Sequence, residues 1–428
     1  MKSLKNFKTG DKLKIDSEDK GYTGILMPRS ELADEKFIVI KMDSGYNIGI
    51  EREQIKNITL IKSEIKKEEF KLKKAVPDEN KPKISILATG GTIASRIDYI
   101  TGGVHSAFSA DELISAVPEL EEIANVSGRQ IFNKFSENIN PGDWIEIARE
   151  IYAQIKKGAD GIVVAHGTDT MGYSAAALSF MLNTPVPVVI TGAQRSSDRG
   201  SSDAAVNLID AATVAAKQIF GGVFVVMHGE SSDSFSLIHP GTKVKKLHSS
   251  RRDAFKTVNA LPVGKVENGR VVYFKNSNSY KFFSGQKNKE LKLDAKLEKK
   301  VALIKYFPGM NEDIIKNLID RNYRGIVIEG TGLGHVNENL IDILRTAIDA
   351  KIPVFMTSQT MHGRVNMRVY ATGRKLLNIG VISCEDMLSE TAFVKLMWVL
   401  GHTRNHEKVR EMMLTNYAGE ISGKTNID

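Results

Sequence analysis

Residues 161–191 read GIVVAHGTDTMGYSAAALSFMLNTPVPVVIT, and the fold class follows from them. Residues 161–165 are a short apolar run without polar alternation, the mark of a strand covered on both faces. A polar turn, His166-Gly167-Thr168-Asp169-Thr170, follows it. Residues 171–182 then carry an Ala- and Leu-rich helical stretch, and 187–191 is a second all-apolar run closed by a threonine. Strand, helix and strand in so short a span predict two parallel strands joined by a right-handed crossover.

The same alternation extends in both directions. Runs at 84–88 and 222–227 read as further doubly covered strands, and 203–220 as a helix. Another helix starts at Asn140-Pro141-Gly142-Asp143, where Asn can cap, Pro suits the first helical position and Asp meets the positive helix end. Past a lysine-rich stretch at 286–300, a second block offers strands at 301–306, 325–329, 353–357 and 380–383 and a late helix at 387–400. Two doubly wound parallel-sheet α/β domains are therefore expected, the larger over 84–285 and the smaller over 301–428, with 286–300 as a linker.

Residues 1–61 are written differently. Short Ile-, Val-, Tyr- and Phe-rich segments at 12–15, 22–27, 37–42 and 46–50 are separated by turn signals, with Asp43-Ser44-Gly45 placed as a hairpin turn would be. A small SH3-like β-barrel is expected there. Residues 62–83 hold 13 charged residues and two prolines, which reads as a charged linker.

Composition excludes several classes. Of 428 residues, 42% are hydrophobic and 26% charged, which suits a folded globular chain and not a disordered one. No run approaches the roughly 18–20 apolar residues a membrane crossing needs. A lysine every few residues and no apolar stretch at the start speak against a signal peptide, and the single Cys384 can form neither an internal disulfide nor a cysteine metal cluster. The cytoplasm is the expected compartment. A net charge of +8 fits an acidic partner such as nucleic acid, and equally a lysine-rich solvated surface.

In an open α/β sheet, ligands bind beyond the carboxyl ends of the strands. Three such ends stand out: Thr89-Gly90-Gly91-Thr92, Gly167-Thr168-Asp169 and Thr191-Gly192-Ala193-Gln194-Arg195. Glycines let the first turn sharply and put the Thr92 hydroxyl at a strand tip. No Gly-Lys-Ser/Thr follows and no GxGxxG occurs, so a phosphate loop is not indicated. The histidines are scattered without a metal-ligand spacing. Hydroxyls and one carboxylate without a metal suit threonine-based covalent catalysis, which needs a base. Lys246 is a candidate, because a buried lysine can lose its proton near neutral pH. Taken singly, Thr92 could lie in a plain tight turn, Thr168 or Asp169 could cap a helix, and Lys246 could be one more surface lysine.

TGGTIAS, then HGTDTM, then TGAQR, in this order and over residues 84–415, closely resemble the L-asparaginase/glutaminase family of threonine amidohydrolases. That resemblance implies catalytic roles for Thr92, Thr168, Asp169 and Lys246. It also implies substrate contacts from Tyr99, on a loop after the first motif, and from Ser136 and Glu137 in FSENINPGDW. Ala165 stands where many members have threonine, and Glu137 where secreted asparaginases often have glutamine. The glutamate that some asparaginases supply from a neighbouring subunit has no match in this chain.

The basic extension before ATGGTIASRIDY, together with CEDMLSETAFVKLMWVLG, resembles the GatD family of archaeal tRNA-dependent amidotransferases. This implies a glutaminase that releases ammonia from glutamine or asparagine for a partner protein, GatE. The partner converts ATP-activated Glu-tRNA(Gln) to Gln-tRNA(Gln), so ATP and Mg would belong to it and no cofactor to this chain. A homodimer within a heterotetramer is implied. The alternatives are a stand-alone cytoplasmic L-asparaginase with an accessory N-terminal domain, and a non-catalytic scaffold binding tRNA through its barrel.

Overall fold

The computed structural model describes the chain except residues 1–6, 19, 28–35, 43–46, 63–77, 92–94, 98–103, 107–109, 116, 196–201, 218, 286–289 and 425–428. The hairpin turn expected at 43–45 and most of the charged linker lie outside the described residues. At the amino end, strands Lys12–Ser17, Gly21–Leu26, Phe37–Met42, Asn47–Glu51 and Ile55–Lys62 form one antiparallel sheet. Alternation places Leu13, Ile15, Leu26, Ile38, Ile40 and Ile50 on one side, where they make a core of their own. The fifth strand, Ile55–Lys62, goes beyond the four segments placed from the sequence; its Ile55 and Ile58 pack on that core while most of its other side chains are exposed.

The large domain is an eight-stranded sheet. Its parallel part runs Asn125–Gln130, Lys83–Ala88, Gly161–Ala165, Pro187–Thr191 and Gly222–His228, in that spatial order. Every residue of Gly161–Ala165, Pro187–Thr191 and Gly222–His228 is buried, which is why these strands read as unbroken apolar runs. Three antiparallel strands, Phe235–Pro240, Gly264–Glu267 and Arg270–Tyr273, extend the far edge. Helices Pro141–Lys156 and Met171–Met181 pack with one face into one core and Ala204–Lys217 into the other. The first of these helices has the expected start: Asn140 accepts from Gly142 N while Asp143 accepts from Asn140 N, a closed capping box.

The small domain is a four-stranded parallel sheet in chain order, Val301–Lys305, Gly325–Gly330, Val354–Ser358 and Ile382–Ser383. Helix Ser389–Leu400 carries ten buried residues and joins the domains into one core, with Trp398 stacked on Phe180 at 6.0 Å between ring centroids. Residues preceding the small sheet lie along this body: Lys292–Leu293 pairs with Leu182–Asn183, and Asp294 meets His402 at 2.7 Å.

Candidate active site

The five parallel strands fall in the order 2-1-3-4-5 by their place in the chain, so the sheet's direction of growth reverses between Lys83–Ala88 and Gly161–Ala165. A crevice opens at such a switch point, beyond the carboxyl ends of the two strands. The sequence puts Thr89-Gly90-Gly91 and His166-Gly167-Thr168 there. Both Thr89 N and Thr89 Oγ1 donate to Ala165 O at 3.0 Å, tying the tips together. Gly91 has φ +81°, and a Cβ on it would sit 2.5 Å from Gly167 Cα and N. Only glycine allows the two turns to touch in this way.

Ser136 lies against the other side of the second turn. A Cβ on Gly167 would stand 2.9 Å from Ser136 Oγ, and Thr170 Oγ1 donates to Ser136 O at 2.7 Å. Ser136 is buried while Glu137, its neighbour in the 3-10 turn Ser136–Asn138, is exposed.

Lys246 closes the site from a third element. It ends the short strand Val244–Lys246, which pairs with Phe255–Thr257. Alternation sends Lys245 one way, to Glu390 at 2.7 Å, and Lys246 the other. Lys246 Nζ donates to Thr168 Oγ1 at 2.9 Å and to Asp169 Oδ1 at 2.7 Å. Thr168 is buried and the lysine nearly so, whereas Asp169 has 67% of its side chain exposed. A hydroxyl, an ammonium and a carboxylate thus form a chain that runs from the buried strand tip to solvent, a geometry suited to moving protons.

The turn bearing Thr168 is braced from behind. Trp144 Nε1 donates to Ser174 Oγ at 3.0 Å, Ser174 Oγ meets His166 Nε2 at 2.8 Å, and His166 Nδ1 meets Gly167 O at 2.6 Å. A carbonyl only accepts, so Nδ1 carries the imidazole proton and Nε2 accepts from Ser174. Burial holds His166 neutral, its pKa lowered to about 4, with the Gly167 carbonyl opposing that shift.

The third strand tip is held by a buried carboxylate. Asp203, fully buried, accepts from Gln194 N and Arg195 N at 3.0 Å each and from Asn207 Nδ2 at 3.0 Å. Asn207 also donates to Gly192 O at 2.9 Å, and its Oδ1 receives His228 Nδ1 at 2.6 Å. This chain ends in solvent at Asp233, 2.9 Å from His228 Nε2.

Three family models account for most of the chain. The GatD N-terminal domain matches residues 7–61, the N-terminal asparaginase domain 83–279, and the glutaminase/asparaginase C-terminal domain 300–413. The D-subunit of glutamyl-tRNA(Gln) amidotransferase from Pyrococcus furiosus is 53% identical over 98% of this chain and 96% of that protein. The Methanobrevibacter smithii protein of the same name is 51% identical over 98% and 95%. The chain belongs to this GatD family. The thermostable L-asparaginase of Thermococcus kodakarensis, 35% identical, superposes with a TM-score of 0.70 over 80% of this chain and 100% of its own. A probable cytoplasmic L-asparaginase from Campylobacter jejuni, 29% identical, gives 0.66 over 78% and 100%. Both superpositions cover the whole of the asparaginase chain.

Of the residues singled out from the sequence, the structure brings Thr168, Asp169 and Lys246 into mutual contact and sets Ser136 beside their turn. Thr92 and Tyr99 lie outside the described residues; the backbone hairpin of Ser95–Ile97 and Val104–Ser106 brackets the latter. Sequence reasoning passes over Asp203, Asn207 and His228. Their one signal is position: an acidic residue and an amide one helical turn apart at the start of the helix facing TGAQR.

Proposed function

We propose that this chain is the glutaminase component of a tRNA-dependent amidotransferase, releasing ammonia that a partner protein uses to convert ATP-activated Glu-tRNA(Gln) to Gln-tRNA(Gln). The observation that carries this reading is identity of about half, over nearly the whole length and through the amino-terminal unit, to proteins named for that activity. The alternative, a free-standing asparaginase, leaves that unit unexplained: the superposed Thermococcus asparaginase covers 80% of the chain.

The chemistry is acyl transfer. A threonine oxygen attacks the carbon of the substrate's side-chain amide, ammonia leaves with a proton delivered to it, and water hydrolyses the acyl-enzyme to free carboxylate and hydroxyl. We assign Thr92 as nucleophile and Thr168, Lys246 and Asp169 as the group that moves protons. Lys246 hydrogen-bonds both others, so a proton taken up at Thr168 has a continuous path to Asp169 and solvent. Ser136, Glu137 and Tyr99 hold the substrate. Backbone N–H groups of the two touching turns face the developing oxyanion, each worth about 10²–10³ in rate. ATP, Mg and tRNA are handled by GatE, and the assembly is a cytoplasmic heterotetramer around a homodimer of this chain.

Co-expression with GatE and assay of ammonia release from glutamine, with and without Glu-tRNA(Gln), tests the reading. Release that rises with Glu-tRNA supports it. Equal release by the isolated chain and the complex, unaffected by tRNA, would favour the free-standing asparaginase.

A further inference from the structure

The third strand tip carries a side chain to which the chemistry above gives no part. Gln194 follows Thr191-Gly192-Ala193, and its backbone is fixed: the N–H groups of Gln194 and Arg195 both end on the buried Asp203 carboxylate. Gly192 lets this tip close on the second turn, since a Cβ there would stand 3.1 Å from Thr168 Cγ2 and run into the His166 carbonyl. The side chain of Gln194 therefore arrives at Thr168 from a rigid base, and its Oε1 lies 3.5 Å from Thr168 Oγ1.

Lys246 Nζ donates to Thr168 Oγ1, so the threonine's own proton is free to point at Gln194 Oε1. With Oε1 placed toward Thr168, Gln194 Nε2 is left as the donor end of the amide. Nε2 is buried and has no acceptor among the described residues. A buried N–H without a partner destabilises the fold, which a folded chain tolerates where a ligand supplies the acceptor.

The place of Nε2 selects that acceptor. Ser136, one of the residues assigned to hold the substrate, packs on Gly167, while Gln194 comes from the Gly192 side of Thr168. The two therefore flank Thr168 from different elements. The substrate group that meets the threonine hydroxyls is the amide being cleaved, and its oxygen is an acceptor for such a donor. We propose that Gln194 is a further catalytic residue, its Nε2–H donating to the side-chain amide oxygen of the substrate and to the oxyanion that forms when the carbonyl carbon is attacked, while Oε1 holds the Thr168 proton. Asp203, and Asn207 behind it, are positioning residues for this donor. The inference rests on the amidase reading of the site.

Two substitutions of Gln194 separate donor from acceptor. Gln194→Glu keeps an acceptor for Thr168 and removes the donor; Gln194→Met removes both at similar length. Each is measured in the complex with GatE, for kcat and KM with glutamine, beside the unmodified complex. Both should lower kcat about 10²-fold with KM within a few-fold, because the bond strengthens in the transition state. Asp203→Asn, which loosens the tip but leaves Gln194 in place, should lower kcat less, with KM again little changed. Circular dichroism and melting temperature separate these losses from misfolding. A Gln194→Glu complex that turns over like the parent would overturn the donor role. A rise in KM at constant kcat would overturn it too, by showing uniform binding. Failure of the unmodified complex to release ammonia would remove the amidase reading itself, a distinct result.

Discussion

Two lysine–aspartate pairs start three residues apart on one stretch of chain and do opposite things. Lys246 and Asp169 meet at 2.7 Å with the carboxylate open to solvent. Lys243 and Asp386 also meet at 2.7 Å, with both side chains fully buried. The second pair is held from further sides: Lys243 Nζ also donates to Asp386 O at 3.2 Å, and Ser422 N donates to Asp386 Oδ1 at 2.9 Å. Burial pulls the Lys243 pKa down, and Asp386 opposes it. Lys395 and Glu420 repeat the arrangement at 2.5 Å, again fully buried. The sealed pairs pin the domain seam and the carboxyl end of the chain. The open pair can exchange protons with water while touching Thr168. Environment, not residue type, divides structural from chemical work.

The comparison predicts that Lys246→Met and Lys243→Met fail differently. Lys246→Met should cut glutamine hydrolysis by as much as about 10⁴-fold, near 5 kcal/mol in the barrier, with a melting temperature close to the parent's. Lys243→Met strands a buried carboxylate and should cost about 3–5 kcal/mol of stability, read by denaturant unfolding, while folded enzyme at low temperature keeps most of its turnover. If Lys246→Met proved the destabilised variant and Lys243→Met the inactive one, the division would be reversed.

Acid should weaken the bracing before it touches the sealed pairs. His166 has its pKa lowered by burial to about 4, and His239, by burial and the Lys256 cation, to about 3. Above about pH 6.5 both are neutral folded or unfolded, and the folded state is at no disadvantage. Below that the unfolded chain takes up protons that the folded site refuses, so stability falls between pH 6.5 and about 4, by about 3 kcal/mol from His166 alone. Urea unfolding at pH 7 and pH 5 checks the sign; His166→Gln should flatten the profile. The smallest effect is expected at the surface pair Lys14–Asp16, 3.7 Å apart and half exposed: Lys14→Ala should shift stability by less than about 1 kcal/mol.

What the sequence made legible tracks how completely a segment is buried. The strands Gly161–Ala165 and Gly222–His228 announce themselves because both faces are covered, and the helix at Pro141 because its capping box is local. Asn125–Gln130 reads NVSGRQ and is partly exposed, so nothing in its periodicity marks a sheet edge. The antiparallel strands Gly264–Glu267 and Arg270–Tyr273 do alternate in burial, but with four residues each they are too short for the alternation to mark them. In the site, the motifs point to Thr168 and Asp169, and the family resemblance to Lys246. The TGAQR tip contains Gln194 but gives it no role, and Asp203 lies outside every motif; their meaning depends on which atoms lie unpaired or buried at the third tip. Lys243 and Lys395 look like solvated charges in the sequence; their partners lie 143 and 25 residues away.

On the proposed reading, the corner built by Thr168, Lys246 and Asp169 makes ammonia for chemistry carried out elsewhere. The most direct test is Gln-tRNA formation by the complex bearing Thr168→Val, supplied first with glutamine and then with ammonium chloride. Valine keeps the side chain's shape and removes the hydroxyl that Lys246 touches at 2.9 Å. Glutamine should no longer support the reaction, while ammonium should support it at the parent rate. Undiminished synthesis from glutamine, or loss of synthesis from ammonium as well, would contradict it.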